Sequence, residues 1–205
     1  MSQVKPQEKE NRMYQEMKKA AWERLRSCDP LEIAKKAGVL FDEKESVFSF
    51  VSLGRQIRVA YPGFQVEGAL EGWHELVILH YLEMAKGEPL SGKLITFGQL
   101  PQGLVRGGGM DRETEKALGE YFGDGQVERI TENCERLGAK IVESKADFTA
   151  VFEFLPRYPV TMNLWFADDE FPGTGKLLID SSAEYYLSVE DAVTVGMVLL
   201  EELKR

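Results

Sequence analysis

The sequence predicts an α+β domain, in which an antiparallel sheet carries helices on one face behind a leading N-terminal helix. Three observations support this class. Strand-like segments cluster with short connections, they do not alternate regularly with helices, and one helix-like segment is apolar on almost every side. Strands joined by tight turns pair in antiparallel fashion, which distinguishes this class from parallel α/β folds.

The first third of the chain predicts two helices and two or three antiparallel strands. Residues 8–27 place apolar side chains at three- and four-residue spacing, and Asp29, followed by Pro, has the features of a second helix start. Alternating residues over 47–51 then turn near Gly54 into another strand. Residues 1–27 could form an N-terminal arm or a helix that lies against a second protomer of a homodimer.

The middle third contains the apolar segment, LEGWHELVILHYLEMAK, at residues 70–86. A helix without a polar face is normally enclosed by the rest of its domain, so we expect it to be the central helix. A glycine-rich loop follows at 107–109, and two further helices are predicted over 111–122 and 125–137.

The last third is rich in β-structure. Residues 148–154 and 160–166 each place alternating apolar side chains on one face, and residues 176–180 make a third strand. The segment VEDAVTVGMVLLEELK predicts a final helix.

The composition indicates one acidic domain over residues 1–205, with 25 basic residues against 34 acidic ones and a net charge of −9. This charge repels phosphate backbones, so we expect no nucleic-acid partner. No apolar run approaches the ~18 residues of a membrane span, and the charged N-terminus lacks the apolar core of a signal peptide. The sequence therefore predicts a cytoplasmic protein without a membrane partner.

The two cysteines, Cys28 and Cys134, belong to no C-x-x-C pair. We expect free thiols rather than ligands of a zinc ribbon or an iron–sulfur cluster, and the sequence names no cofactor.

The acidic stretch from Asp168 to Glu170, with Asp180 beyond it, raises the question of a metal site. On a hairpin, Asp180 would lie about 16 Å from Asp168, at ~3.3 Å per residue. Oxygen ligands must lie within ~2.0–2.6 Å of one ion, so we predict no metal site here. We expect a charged hairpin followed by a capping box over residues 181–184. Whether the acidic turn alone binds a cation or a basic partner stays open.

His80 is the best candidate for a catalytic base. His74 and His80 stand six residues apart, so they do not share a helix face as paired zinc ligands would. Glu83 lies three residues beyond His80 and could orient or charge its ring. The sequence nevertheless favours a core histidine with one satisfied hydrogen bond, because His80 shares a helix stripe with Trp73, Val77 and Met84.

The stretch from Arg106 to Arg112 is the best candidate for binding a small anion. Glycines before a helix let backbone N–H groups converge on an anion, and two arginines add positive charge. The stretch matches neither the P-loop nor the dinucleotide-binding fingerprint, and Asp111 would compete for the same N–H groups. The sequence therefore favours a plain loop or a flexible lid over an anion site. The candidate residues are Arg106, Gly107, Gly108, Gly109 and Arg112.

Four segments resemble a prokaryotic family of domains of unknown function: LPQG (100–103), LPRYPV (155–160), LWFADDEFP (164–172) and KLLIDSSAEYYL (176–187). Their order and spacing extend the resemblance over roughly residues 20–205. The resemblance implies a cytosolic protein of anaerobic bacteria or archaea. Some members carry an added cysteine-rich iron–sulfur module, which the two cysteines here cannot form. The family supplies no catalytic residues.

Two functions of different classes follow. The first is a non-catalytic accessory domain that binds a small ligand or a partner protein, with a pocket near residues 107–109 and the central helix and no assembled acid–base pair. The second is an enzyme acting on a small anionic substrate. It uses His80 as base and Arg106 or Arg112 as anion clamp, and it requires His80 to line an open cleft.

Overall fold

The computed structural model describes the backbone of residues 6–205 and the side chains of residues 12–205. In this part of the chain the α-helices are α1 (Pro6–Leu25), α2 (Pro30–Ala37), α3 (Gly72–Met84), α4 (Arg106–Phe122), α5 (Val127–Arg136) and α6 (Val189–Leu203). The strands are β1 (Leu40–Asp42), β2 (Val47–Ser52), β3 (Arg55–Ala60), β4 (Val66–Glu67), β5 (Leu94–Ile95), β6 (Lys140–Ile141), β7 (Phe148–Leu155), β8 (Tyr158–Trp165) and β9 (Thr174–Asp180). Two short 3-10 helices lie at Phe97–Gln99 and Ser181–Tyr185.

The strands form two antiparallel sheets. The smaller sheet has the order β1-β2-β3-β4, and the larger has the order β5-β9-β8-β7-β6. In the larger sheet Ala150 lies opposite Met162, and Phe152 lies opposite Val160. All four side chains are fully buried, which confirms the face that the sequence pattern predicted.

The helices build layers on the larger sheet. Helix α4 packs on β9 and β8, α6 packs on α4, α3 packs on α6, and both α1 and α2 contact α3. The predicted α+β class with a leading N-terminal helix is confirmed. No helix in the described residues is long and apolar enough to span a membrane.

Helix α3 is the central helix that the sequence predicted. Its residues from Leu76 to Leu82 are all buried, and Glu71 caps its start by accepting hydrogen bonds from the N–H groups of Trp73 and His74. Helix α1 lies along α3, where Lys18 forms an ion pair of 2.6 Å with Glu75. The face of α1 that was considered for a second protomer therefore contacts α3 of its own chain in part, and the homodimer stays a prediction.

His74 joins α3 to both sheets. Its Nδ1 accepts a hydrogen bond from the Leu70 N–H at 3.0 Å, so its Nε2 carries the proton and contacts Ser52 Oγ at 2.8 Å. Ser52 ends β2, and its hydroxyl donates in turn to the carbonyl of Phe154 on β7. Burial, and then the positive charge of Arg55, lower the pKa of His74 to about 4. The ring is therefore a neutral structural group, with both nitrogens engaged.

Candidate functional site

A cavity of about 500 Å³ opens at the start of α6 and is called here the α6 cavity. Four stretches line it: the end of α3, the loop after the first 3-10 helix, the first residues of α4, and the turn that leads into α6. The lining residues are 84, 100–102, 105–106, 184 and 187–190. This volume lies within the ~300–1,000 Å³ that small-molecule sites commonly have.

The turn into α6 is fixed by a capping box. Ser188 Oγ accepts a hydrogen bond from the Asp191 N–H at 3.1 Å, and the same hydroxyl donates to Asp191 Oδ2 at 2.7 Å. The box satisfies N–H groups that every helix start leaves without partners. It also fixes the Asp191 carboxylate beside the cavity wall that Ser188 forms.

His80 of α3 meets this carboxylate. Its Nδ1 lies 2.6 Å from Asp191 Oδ1, and the side chains of His80 and Asp191 are only 11% and 8% exposed. A carboxylate accepts, so Nδ1 of His80 carries the proton and donates it to the hydrogen bond. The structure thus assembles a histidine–carboxylate pair, which the non-catalytic hypothesis had expected to be absent.

The Asp191 carboxylate also influences the pKa of a buried tyrosine. Tyr158, at the start of β8, is 2% exposed, and its hydroxyl is fully enclosed without a hydrogen-bond partner among the described residues. Burial, and then the negative charge of Asp191, raise the pKa of Tyr158 far above its usual value. The hydroxyl therefore stays protonated.

The sequence suggested that Glu83 orients His80, but in the structure Glu83 pairs with a different residue. Its carboxylate forms a bidentate ion pair with Arg24 of α1, in which Arg24 Nη2 lies 2.9 Å from Glu83 Oε2. The spacing of three residues was compatible with a contact along α3, but the packing of α1 against α3 provides Glu83 with an arginine instead. Asp191, 111 residues from His80, takes the predicted role.

The glycines at 107–109 do not form a loop. Helix α4 begins at Arg106, five residues earlier than predicted, so these glycines lie in its first turn. Asp111 is not the helix cap, because its carboxylate accepts hydrogen bonds from the N–H groups of Phe97 and Gly98, both at 2.9 Å. Asp111 thereby fixes the start of α4 against the first 3-10 helix.

The two arginines of the predicted anion site are separated. Arg106 lines the α6 cavity, whereas Arg112 is exposed and is not one of the lining residues. Arg106 Nε lies 3.6 Å from Glu190 Oε1, and the two side chains are 70% and 60% exposed. An exposed pair of this length contributes little to stability, so Arg106 remains free to contact a ligand.

The acidic hairpin is a set of turns and caps. Asp168 accepts hydrogen bonds from the N–H groups of Glu170 and Phe171, at 2.9 and 2.7 Å. Asp180 caps the second 3-10 helix through the Ser182 N–H, a role the sequence had given to residues 181–184. In the described residues, no group of three or more potential metal-ligating side chains comes together.

A family model described as a domain of unknown function (DUF3786) matches residues 29–202. The chain belongs to the DUF3786 family. The resemblance noted from the sequence is confirmed at the level of this family. No curated protein and no solved structure matched the chain.

The matched span of the DUF3786 domain contains the α6 cavity, His80 and Asp191, whereas all of α1 lies outside it. The sequence singled out His80 and Arg106 as candidates, but it gave no role to Asp191, Ser188 and Tyr158. The Ser188-Val-Glu-Asp191 stretch fits the S/T-x-x-D/E pattern of a capped helix start, which was the one available signal for two of them.

Proposed function

We propose that this DUF3786 domain is a binding domain that holds a small polar molecule in the α6 cavity. The observation that carries the proposal is the cavity itself, with a volume typical of ligand sites and a lining that mixes apolar walls with charged groups at the rim. The apolar residues of such a lining can contact the body of a ligand, while the polar groups orient it.

The rim charges limit the chemistry of the ligand. Arg106 offers a cation, whereas Glu184 and Glu190 offer two carboxylates. A purely anionic ligand would meet one favourable and two unfavourable charges. The lining therefore suits a molecule that combines an apolar body with both hydrogen-bond donors and acceptors, rather than the simple anion that residues 106–112 had suggested.

The binding test uses two neighbouring apolar residues just before α4, of which only one lines the cavity. Val105 lines the cavity and is 80% exposed, whereas Leu104 is 81% exposed and is not a lining residue. The substitution Val105→Trp should fill the mouth of the cavity without disturbing the core, and Leu104→Trp is the matched control. Native mass spectrometry, after incubation with a small-molecule cell extract, should show a retained mass on the wild type and on Leu104→Trp.

The Val105→Trp protein should lose this mass. A wild type that retains no small molecule would contradict the proposal, and so would equal retention by both variants. Circular dichroism of each variant checks that the fold is intact.

A further inference from the structure

The contacts of His80 differ from those of the chain's other histidine. Both ring nitrogens of His74 are engaged, and its ring is fully buried. His80 uses only Nδ1, which donates to Asp191. The two histidines therefore occur as opposite tautomers, with the proton on Nε2 in His74 and on Nδ1 in His80.

The second nitrogen of His80 keeps a lone pair, and the His80 side chain is 11% exposed. Among the described residues no group hydrogen-bonds to Nε2, and Nε2 is not one of the fully enclosed polar atoms without a partner. A structural histidine normally engages both nitrogens, as His74 does, because an unpaired buried nitrogen costs free energy. His80 departs from this pattern.

Asp191 is itself held in place. Its Oδ2 accepts from Ser188 Oγ at 2.7 Å while its Oδ1 contacts His80 at 2.6 Å, so the carboxylate cannot rotate without breaking one of these bonds. Ser188 lines the α6 cavity, and Met84, which also lines it, lies one turn beyond His80 on α3. The pair is therefore connected to the cavity through Ser188 and Met84, whereas His80 and Asp191 are not themselves lining residues.

We propose that His80 and Asp191 form a proton-accepting site, in which Nε2 of His80 takes a proton from a water molecule or from an acidic O–H or N–H group of a bound molecule. The electron pair of the broken bond stays on the donor atom. The proton forms a new N–H bond at Nε2, and Asp191 stabilises the resulting imidazolium. Asp191 is the positioning residue, because it fixes both the tautomer and the orientation of the ring.

The inference does not depend on the binding function proposed above, because it can be tested on the protein without ligand. The first measurement is long-range ¹H–¹⁵N correlation NMR of the labelled full chain, which reports the protonation of each ring nitrogen. With two histidines in the sequence, the assignment needs only the variant His80→Gln. We expect Nδ1–H for His80 and Nε2–H for His74. An Nε2–H tautomer at His80 would overturn the proposal.

The second measurement is the reaction with diethyl pyrocarbonate, which acylates an accessible unprotonated imidazole nitrogen. Peptide mass spectrometry should locate the modification on His80 and leave His74 unmodified. In Asp191→Asn the reaction at His80 should be about tenfold slower or more, because no carboxylate stabilises the charge that develops on the ring. Unchanged NMR signals of His74 show that the variant keeps its fold.

If Asp191→Asn does not fold, Ser188→Ala replaces it, since this substitution loosens the carboxylate without removing it. A smaller decrease in the rate of His80 acylation is then expected. A native His80 that does not react, or a rate that neither variant changes, would show that the pair is only structural.

Discussion

At the scale of single residues, Asp180 was considered from the sequence as a metal ligand, but in the structure it caps a 3-10 helix. It accepts four hydrogen bonds, from the N–H and hydroxyl of Ser91 and the N–H groups of Gly92 and Ser182, all between 2.8 and 2.9 Å. Burial opposes the ionisation of Asp180, but these hydrogen bonds outweigh burial and hold its pKa low, at about 2. The carboxylate therefore ties the loop before β5 to the end of β9.

We predict that Asp180→Asn lowers the free energy of unfolding at neutral pH by on the order of 2 kcal/mol, because an amide NH₂ would face N–H donors in a buried site. The folded-state pKa lies below the ordinary value of 3.8, so this stabilisation is complete above pH 3.8 and is lost as the pH falls towards 2. Urea unfolding at several pH values measures it. Asp168→Asn, in the exposed turn of the same hairpin, is the control and should cost less. Equal losses in the two variants would contradict the assigned role of Asp180.

At the scale of elements, the start of α4 shows why glycine can serve close packing instead of ligand binding. A Cβ atom at Gly107 would lie 2.2 Å from the carbonyl oxygen of Phe97, a distance that no real contact reaches. At Gly109 the same atom would meet nothing within 4 Å. Only the first of these neighbouring glycines is therefore required by the packing of α4 on the first 3-10 helix.

We predict opposite effects for alanine at these two positions. Gly107→Ala should destabilise the fold by about 1–3 kcal/mol, because α4 must move away from Phe97. Gly109→Ala should be neutral or stabilising by up to about 1 kcal/mol, because alanine is the better helix former. Thermal unfolding of the two variants beside the wild type measures both. If Gly109→Ala proved as harmful as Gly107→Ala, the first turn would have a role beyond packing.

At the scale of the whole molecule, His74 connects three parts of the fold. It lies on α3, and through Ser52 it links the smaller sheet to Phe154 of the larger one. A backbone hydrogen bond joins the two sheets at the same place, since the Leu53 N–H donates to the Glu153 carbonyl at 2.8 Å. Protonation of the ring would remove the acceptor that Leu70 uses.

We therefore predict that His74 makes the stability of the whole domain depend on pH. Its folded-state pKa of about 4 lies below the ordinary 6.5, so the unfolded chain binds the proton first. Stability from this group is complete above pH 6.5 and decreases as the pH falls from 6.5 to 4, by on the order of 3 kcal/mol. His74→Gln should be less stable at neutral pH and should lose this part of the slope, as measured by urea unfolding across that range.

The carboxylates that titrate in this window are common to both proteins, so the difference between the two slopes isolates His74. Identical slopes would show that the ring is not kept neutral in the folded state.

Local rules determined much of this protein from sequence alone. The cap at Asp29, the apolar run of α3 and the alternation in β7 and β8 depend on neighbouring residues, and the structure confirms each of them. The same rules singled out His80 and Arg106 as candidates, because both stand out within their own segments, and their roles stay predictions. Membership of the DUF3786 family also followed from segments that the chain displays directly.

Only the tertiary structure decided what these residues contact. Glu83 pairs with Arg24, His80 pairs with Asp191, and the glycines of α4 approach Phe97. The first two contacts join elements that are distant in sequence, and the third joins two consecutive elements. All three depend on how α1, α3, α4 and α6 pack together. The spacing of residues along the chain determines which face of a helix or strand a side chain occupies. The residue that it contacts depends on how the helices and sheets pack around the core.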